Sequence, residues 1–455
     1  MPSERSHSAK SLDMTTGAIA PRLALFSLPL LAGNIFQQLY NTVDSVVVGN
    51  FVGPEALGAV TANMPATMAL ISLFLGFSTG ASVVISQYFG ARNKEQLRKT
   101  VHTAVVATLL MGIFFSVLGI LVTPVLVRFM NTPPEIADLA MTYLRIYFAG
   151  LTGLMLYNMG SGILRAVGDS RRPLYFLICC SLTNIVLDLL FVIRFRMGVA
   201  GVAWATIISQ FVSAFLVFFV LFRSKEIYSC SLSEMRIDPE MLQRVIRLGF
   251  PAGIQMALTS FSNIFVMSYV NGFGAASTSG WGAFQRIDAF TTLPVMSMGL
   301  AVTTFTGQNA GARQFDRIRK GLRTAIVMGI SVTVCLSAIL FVLAPYAIGL
   351  FNRDPDVLHY GVLFLRMQGP LDFLMCFNQC YAGTLRGVGN ARAPMFIMLF
   401  SFVLFRQAYL FVVSHLSGSV YLVALAYPVG WAVCSLLMFI YWRNCRWEEK
   451  LAQEF

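Results

Sequence analysis

Residues 164–173 read Leu164-Arg-Ala-Val-Gly-Asp-Ser-Arg-Arg-Pro173, and residues 385–394 read Leu385-Arg-Gly-Val-Gly-Asn-Ala-Arg-Ala-Pro394. The two stretches agree at six of ten positions. A second pair lies at the same offset of 221 residues: Gln87-Tyr-Phe-Gly-Ala-Arg92 and Gln308-Asn-Ala-Gly-Ala-Arg313 agree at four of six. Unrelated apolar stretches share leucines by chance, but they rarely share Arg, Gly and Pro at one fixed offset. The chain is therefore an internal duplication, and each motif follows a long apolar run.

Composition says what those runs are. Hydrophobic residues make up 56% of the 455 residues, charged residues 12%, and the mean hydropathy is +0.70. A soluble domain carries roughly 25% charged residues because it must cover its surface with them. The bilayer is the solvent this composition fits. The net charge of +12 belongs to basic loops facing anionic headgroups. No soluble basic domain is present to hold nucleic acid. The eight cysteines (Cys179, Cys180, Cys230, Cys335, Cys376, Cys380, Cys434, Cys445) show no disulfide or metal-site spacing and read as packed thiols. The opening residues MPSERSHSAK are polar and no short apolar stretch with a cleavage site follows, so no removable signal peptide is expected.

A membrane-crossing helix needs about 20 mostly apolar residues. Twelve stretches qualify: approximately 23–50, 55–86, 99–127, 138–163, 173–194, 199–222, 246–270, 277–306, 322–350, 357–384, 393–414 and 419–442. Pro29, Pro65, Pro294 and Pro428 fall inside them and permit bends. Counting Lys and Arg fixes the orientation. With the N-terminus inside, cytoplasmic segments hold 25 of 33 basic residues and outer loops hold four: Arg128, Arg194, Arg196 and Arg353. Both termini are expected in the cytoplasm of a multi-pass plasma (inner) membrane protein, with Cys230 accessible to thiol reagents from that side alone. The expected fold is all-α, with twelve transmembrane helices in two six-helix lobes. An even number of spans per lobe puts the pseudo-twofold axis along the membrane normal. The lobes are residues 1–222 and 246–455 (with a cytoplasmic tail), joined by a cytoplasmic linker, 223–245.

Ionisable groups inside a span cost about 2.5–3.5 kcal/mol each even on lenient scales, so each needs a reason. Asp44 lies in the first span. Asn184 and Asp188 share one face of the fifth, and Thr206 lies in the sixth. At about 1.5 Å per residue, Asn184 and Asp188 lie about 18 and 24 Å beyond Arg172. Asp44 lies about 33 Å beyond Arg22, and Thr206 about 15 Å inward from Arg196. These oxygen-bearing groups, without a basic partner nearby, suit Na⁺ or H⁺. In the second half, Arg286 and Asp288 lie in the eighth span, Asp372 in the tenth and Arg406 in the eleventh. Acids and bases balance there, so ion pairing is expected, with Asp372 as the rival titrating group. Gly76 and Gly80 form a G-x-x-x-G that marks close helix packing. The Gly-Ala-Arg and Leu-Arg-x-x-Gly motifs read as inner-face gate or packing elements, with Arg165 and Arg386 meeting headgroups or helix carbonyls. No nucleotide loop, zinc-ligand cluster or nucleophile constellation occurs, which leaves an ion gradient as the energy source and no cofactor beyond the transported ion.

The stretches Leu39-Tyr-Asn-Thr-Val-Asp44, Gln87-Tyr-Phe-Gly-Ala-Arg92, Leu164-Arg-Ala-Val-Gly-Asp169 and Met197-Gly-Val-Ala-Gly-Val-Ala-Trp-Ala-Thr206 resemble the multidrug and toxic compound extrusion (MATE) family. The second-half echoes extend the resemblance over essentially the whole chain. It implies a non-enzymatic antiporter exporting cationic or amphiphilic small molecules against H⁺ or Na⁺ influx, and a monomer is expected. Resemblance to the DinF-like branch gives Asp44, Asn184, Asp188 and Thr206 the role of cation site. The Glu used in the seventh helix by another branch has no counterpart, since nothing acidic occurs between Pro251 and Trp281. A lipid-linked sugar flippase and an ion channel or scaffold are the alternatives.

Overall fold

The computed structural model describes residues 12–53, 58, 64–129 and 132–454, and among them every regular element is helical. The helices are α1 (Ile19–Val47), α2 (Met64–Gly90), α3 (Lys94–Phe129), α4 (Pro134–Ala149), α5 (Leu151–Ala166), α6 (Arg171–Leu189), α7 (Gly198–Arg223) and α8 (Pro239–Asn271). They continue as α9 (Ala275–Gly311), α10 (Phe315–Gly349), α11 (Pro355–Gln368), α12 (Phe373–Gly387), α13 (Arg392–Leu399), α14 (Arg406–Leu416), α15 (Val420–Ala424), α16 (Ala426–Asn444) and α17 (Trp447–Glu454). The polar opening residues lie outside the described ones, as does most of 54–63 at the start of the expected second span.

Among the described residues, eight helical stretches are each long and apolar enough to cross a bilayer, and α4 with α5, bent by 45°, makes a ninth if the pair is one span. The remaining three expected spans are built less simply. α8 starts with a polar turn before its apolar run. The tenth span is α11 and α12, interrupted by a 3₁₀ turn at Gly369–Leu371. The twelfth is α15 and α16, interrupted at Leu425. Apolar side chains cover the outside: Leu121, Val186, Phe215, Val327 and Leu404 are all more than 60% exposed. Polar side chains such as Asn184, Asp188 and Gln308 are buried. That inversion is what lipid solvent selects.

The chain divides into two compact units. The first comprises 1–18, 24–67 and 78–246, and the second 19–23, 68–77 and 247–455. Thus the segment 223–245 is counted with the first unit. There Ser231 N donates to His102 Nε2 (3.0 Å), Asp238 N donates to Thr103 Oγ1 (3.0 Å), and Arg98 pairs with Glu234 at 2.7 Å. Docking also buries Cys230, whose thiol burial pushes up to about 12. Cys230 is therefore not the accessible thiol its sequence position suggested, because the thiolate is the reactive form.

The duplicated motifs fold alike. After α5, Gly168 takes φ +91°; its N–H donates to Arg165 O (3.0 Å), and Asp169 N–H donates to Leu164 O (2.9 Å). After α12, Gly389 takes φ +86°, with Gly389 N–H to Arg386 O and Asn390 N–H to Leu385 O, both 2.9 Å. Both are Schellman stops, which need a residue tolerant of positive φ. Arg92 and Arg313 end α2 and α9 in the same left-handed conformation, at φ 54° and 56°. The motifs are therefore helix stops. Arg386 is buried, so headgroup contact is not its role, and Arg165 is half-buried.

Gly76 packs as the G-x-x-x-G pattern foretold. Within the second unit, a Cβ placed there would meet the backbone of Gly253 at 2.3 Å and Gly249 O at 2.6 Å. Helices this close touch backbone to backbone, and overpacking such a site costs typically 1–3 kcal/mol.

Candidate functional site

The first unit sets the half-buried Asp44 against the fully buried Asp188, one helical turn from Asn184. Asp44 stands three residues from the end of α1, immediately before a π-helical turn, Val48–Val52. Asp188 stands near the end of α6, before a second π turn, Leu190–Arg194. Such turns shift one hydrogen-bond register and recur at functional sites because they re-aim side chains. Valines at both turns (Val47, Val48 and Val192) pack with Val199, Val202 and Ala203 of α7 and with Tyr143 of α4. This apolar cluster holds the two helix ends together.

The carboxyl groups of Asp44 and Asp188 face each other closely enough for each to act on the other. Asn184 and Asp188 are fully buried. Neither Asp188 oxygen, neither polar atom of the Asn184 amide, nor Asp44 Oδ1 has a hydrogen-bond partner among the described residues. Among the described residues, no basic side chain acts on either carboxylate. Buried polar groups are nearly always satisfied by partners, and two ionised carboxylates in a medium of low dielectric repel strongly. A single proton shared between them, or a small hard cation on their oxygens and the Asn184 carbonyl, relieves both costs.

Thr206 of α7 joins this group indirectly. Its hydroxyl donates to Val202 O at 3.0 Å and meets the hydroxyl of Tyr40, which in turn lies beside Asp44. Tyr143, stacked on Tyr147 at 6.0 Å, also faces both carboxylates. Sequence reasoning missed these two tyrosines. Tyr40 had a usable signal, since it precedes Asp44 by one helical turn and shares its face. Tyr143 had none.

The second unit departs from the expected ion pairing. Among the described residues, Asp288 and Asp372 form no salt bridge with Arg286 or Arg406. Instead the Thr291 hydroxyl is shared between them, 3.1 Å from Asp288 Oδ1 and 3.1 Å from Asp372 Oδ2, and the two acidic side chains are in mutual reach. Ser337 stands beside Asp372, which is fully buried. The reason is geometric. Arg286 and Asp288 are two residues apart on α9, hence on different faces, and the Arg286 guanidinium lies over the Phe351 ring. Arg406 is taken by α8, donating to Ser262 Oγ and Asn263 Oδ1, both at 2.8 Å. It also sits 4.6 Å from the centroid of Tyr427, the ring that lies near Asp288. Among the described residues, each unit thus carries a facing pair of acidic side chains without a basic partner.

Twelve apolar helices in duplicated halves, with unpaired buried carboxylates inside, define a multi-span membrane transporter. Comparison gives the family: the MatE family description matches residues 29–190 and again 251–412, so the chain belongs to the MatE family, and the double match restates the duplication. "Probable multidrug resistance protein YoeA" of Bacillus subtilis is 31% identical over 437 residues, covering 94% of each chain. "Probable multidrug resistance protein YpnP" of the same organism is 31% identical over 439 residues, covering 96% of this chain and 98% of its own. A solved MOP superfamily transporter from Pyrococcus furiosus shares the fold at a TM-score of 0.91 and 24% identity, over 98% of this chain and 99% of that one.

Proposed function

We propose that this protein is a secondary active exporter of cationic or amphiphilic small molecules, driven by H⁺ or Na⁺ influx. The observation that carries the reading is the facing Asp44–Asp188 pair with the unpartnered Asn184 amide. An ion can drive a conformational cycle only if it changes which conformation is stable. Empty and ionised, the pair repels, and the ends of α1 and α6 are pushed apart at their π turns. Neutralised by a proton or Na⁺, the ends close. Tyr40 and Tyr143 move with them, and the first unit's interior is reshaped so that substrate leaves outward. The curated relatives carry multidrug resistance names, which supports this substrate class over a lipid-linked sugar.

The test is transport of ethidium or norfloxacin in proteoliposomes under separately imposed Na⁺ and pH gradients. Substrate movement that follows one of the two gradients is the expected result. Ion current with no substrate requirement would make the protein a channel, and transport of lipid-linked sugar alone would make it a flippase.

The orientation is part of the same proposal, with both termini cytoplasmic on the strength of the basic-residue asymmetry. Because Cys230 is buried, the reporter belongs at exposed Lys225. Lys225→Cys, in a background lacking the other thiols, is expected to react with a membrane-impermeant maleimide in inverted vesicles and not in intact cells. Labelling in intact cells would reverse the assignment.

A further inference from the structure

The two copies of the Leu-Arg-x-x-Gly turn differ in their surroundings. In the first unit the turn is covered by the chain itself. Leu12 N–H donates to Gly168 O at 3.2 Å, and a Cβ on Gly168 would meet Leu12 O at 2.2 Å. The next residue, Asp169, supplies a negative charge: its Oδ1 accepts from Arg171 N and Arg172 N, and its Oδ2 lies 3.3 Å from the Arg172 guanidinium. In the second unit the equivalent position holds the neutral amide Asn390. Its Oδ1 likewise accepts, from Ala393 N (3.2 Å), and its Nδ2 donates to Tyr441 Oη (2.8 Å), but it brings no charge.

Around this second turn lies a cavity of about 590 Å³. Arg247, Arg392 and Arg446 line it, and none of its lining residues is acidic. The Arg247 and Arg392 side chains are exposed and form no ion pair or hydrogen bond among the described residues. Arg446 has a distant, exposed partner in Glu449 at 3.8 Å. The rest of the wall is apolar, with buried Trp447 and Leu451 on one side and the largely exposed Phe396 on the other. Trp447 stacks on Trp442 with centroids 5.0 Å apart. Trp at the end of a membrane-spanning bundle sits at headgroup level. The site is thus positive at its mouth, apolar along its wall, and placed where the spans α12, α13 and α16 end or begin.

We propose that this cavity binds the phosphodiester headgroup of an anionic phospholipid. The phosphate sits among Arg247, Arg392 and Arg446, and an acyl chain runs along Phe396. Guanidinium groups suit phosphate because their N–H donors form a fork matched to two of its oxygens. An apolar wall beside them favours a lipid over free phosphate. At the first unit's turn, Asp169 brings a negative charge that disfavours an anion, and Leu12 lies against Gly168. The inference requires only that the chain lie in a bilayer, so it stands or falls separately from the coupling reading.

The experiment is native mass spectrometry of the detergent-purified full chain titrated with phosphatidylglycerol, phosphatidylcholine or inorganic phosphate. Phosphatidylglycerol is expected to be retained in preference to phosphatidylcholine. Arg247→Gln with Arg392→Gln should weaken it roughly fivefold per arginine, the usual worth of one basic residue near anionic lipid. Asn390→Asp keeps the acceptor for Ala393 N and restores the first unit's charge pattern, so it should weaken phosphatidylglycerol binding with folding intact. Arg353→Gln, far along the chain in a different loop, should change nothing. Unaltered phosphatidylglycerol retention in monodisperse Asn390→Asp and in the double variant would overturn the proposal. So would an equal loss in Arg353→Gln, and so would displacement of the lipid by millimolar phosphate, which would make this a site for the free anion.

Discussion

Asp44→Asn and Asp188→Asn are expected to fold, reach the membrane in normal amount, and lose gradient-driven efflux by about tenfold or more. Each keeps the volume and most of the polarity of the side chain but fixes it in the neutral state. The pair then no longer distinguishes loaded from empty. Coupling free energies of about 1–3 kcal/mol correspond to about 5–150-fold, and removing the charge removes the whole difference. Asn184→Ala and Thr206→Ala take away neutral groups only. Their losses should be a few-fold, and larger under a sodium gradient than a proton gradient if sodium is the ion. Tyr40→Phe severs the link between Thr206 and Asp44 and should resemble Thr206→Ala. Efflux at matched expression decides the matter: normal pumping by both aspartate variants, with Asp372→Asn inactive, would move the coupling site into the second unit.

The second large effect concerns Asp372. Were it the partner of an arginine, Asp372→Asn would strand a buried positive charge and cost about 3–5 kcal/mol. The structure instead places it against Asp288, with Thr291 between them. Neutralising one of two facing acids removes repulsion, and the amide oxygen still accepts from the Thr291 hydroxyl. Asp372→Asn is therefore expected to raise the unfolding temperature in detergent, by about 1 °C for each kcal/mol of relieved repulsion in a chain of this length. Efflux should fall in parallel, because the two-carboxyl pair that could share a proton is reduced to the single Asp288 carboxyl beside a fixed neutral amide. Asp372→Ala, which leaves the Thr291 hydroxyl without that acceptor, should lower the unfolding temperature instead. A marked drop for Asp372→Asn would restore the ion-pair reading.

The contrast between the two pairs shows what a sequence carries. Helix count, duplication and close packing at Gly76 were legible because they depend on residues a few positions apart or on one fixed offset: twelve apolar runs, two repeated motifs and a G-x-x-x-G. The motifs themselves read as gate or packing elements, and only their backbone hydrogen bonds show them to be helix stops. Asn184 and Asp188 were legible for the same reason, since four residues on a helix is one face. The Asp288 environment was not. Counting acids against bases ignores that Arg286 points away from Asp288 on the same helix, and that Arg406 spends its donors on Ser262 and Asn263, more than a hundred positions away. Tyr143 was hidden differently: among 15 tyrosines, nothing local separates one that faces a carboxylate from one that faces lipid. The π turns beside Asp44 and Asp188 also lack a local signature, because valine and phenylalanine are equally at home in an ordinary helical turn.

The helix stops bear on how such a chain is made. Each turn, at Gly168 or at Gly389, is closed by backbone groups no more than five residues away, so it can form as soon as that stretch leaves the ribosome. Nothing in it waits for the other half. Other contacts do wait, as for residues 19–23, which are grouped with the second unit. Residues 68–77 of α2 are grouped with the second unit, and Gly76 rests on Gly249 and Gly253, which are synthesised more than 170 residues later. Until α8 emerges, that length of α2 has only lipid or the translocation machinery beside it. A bare backbone face at Gly76 held open for so long is exposed to mispairing before its partner helix exists, and quality control has that interval in which to act.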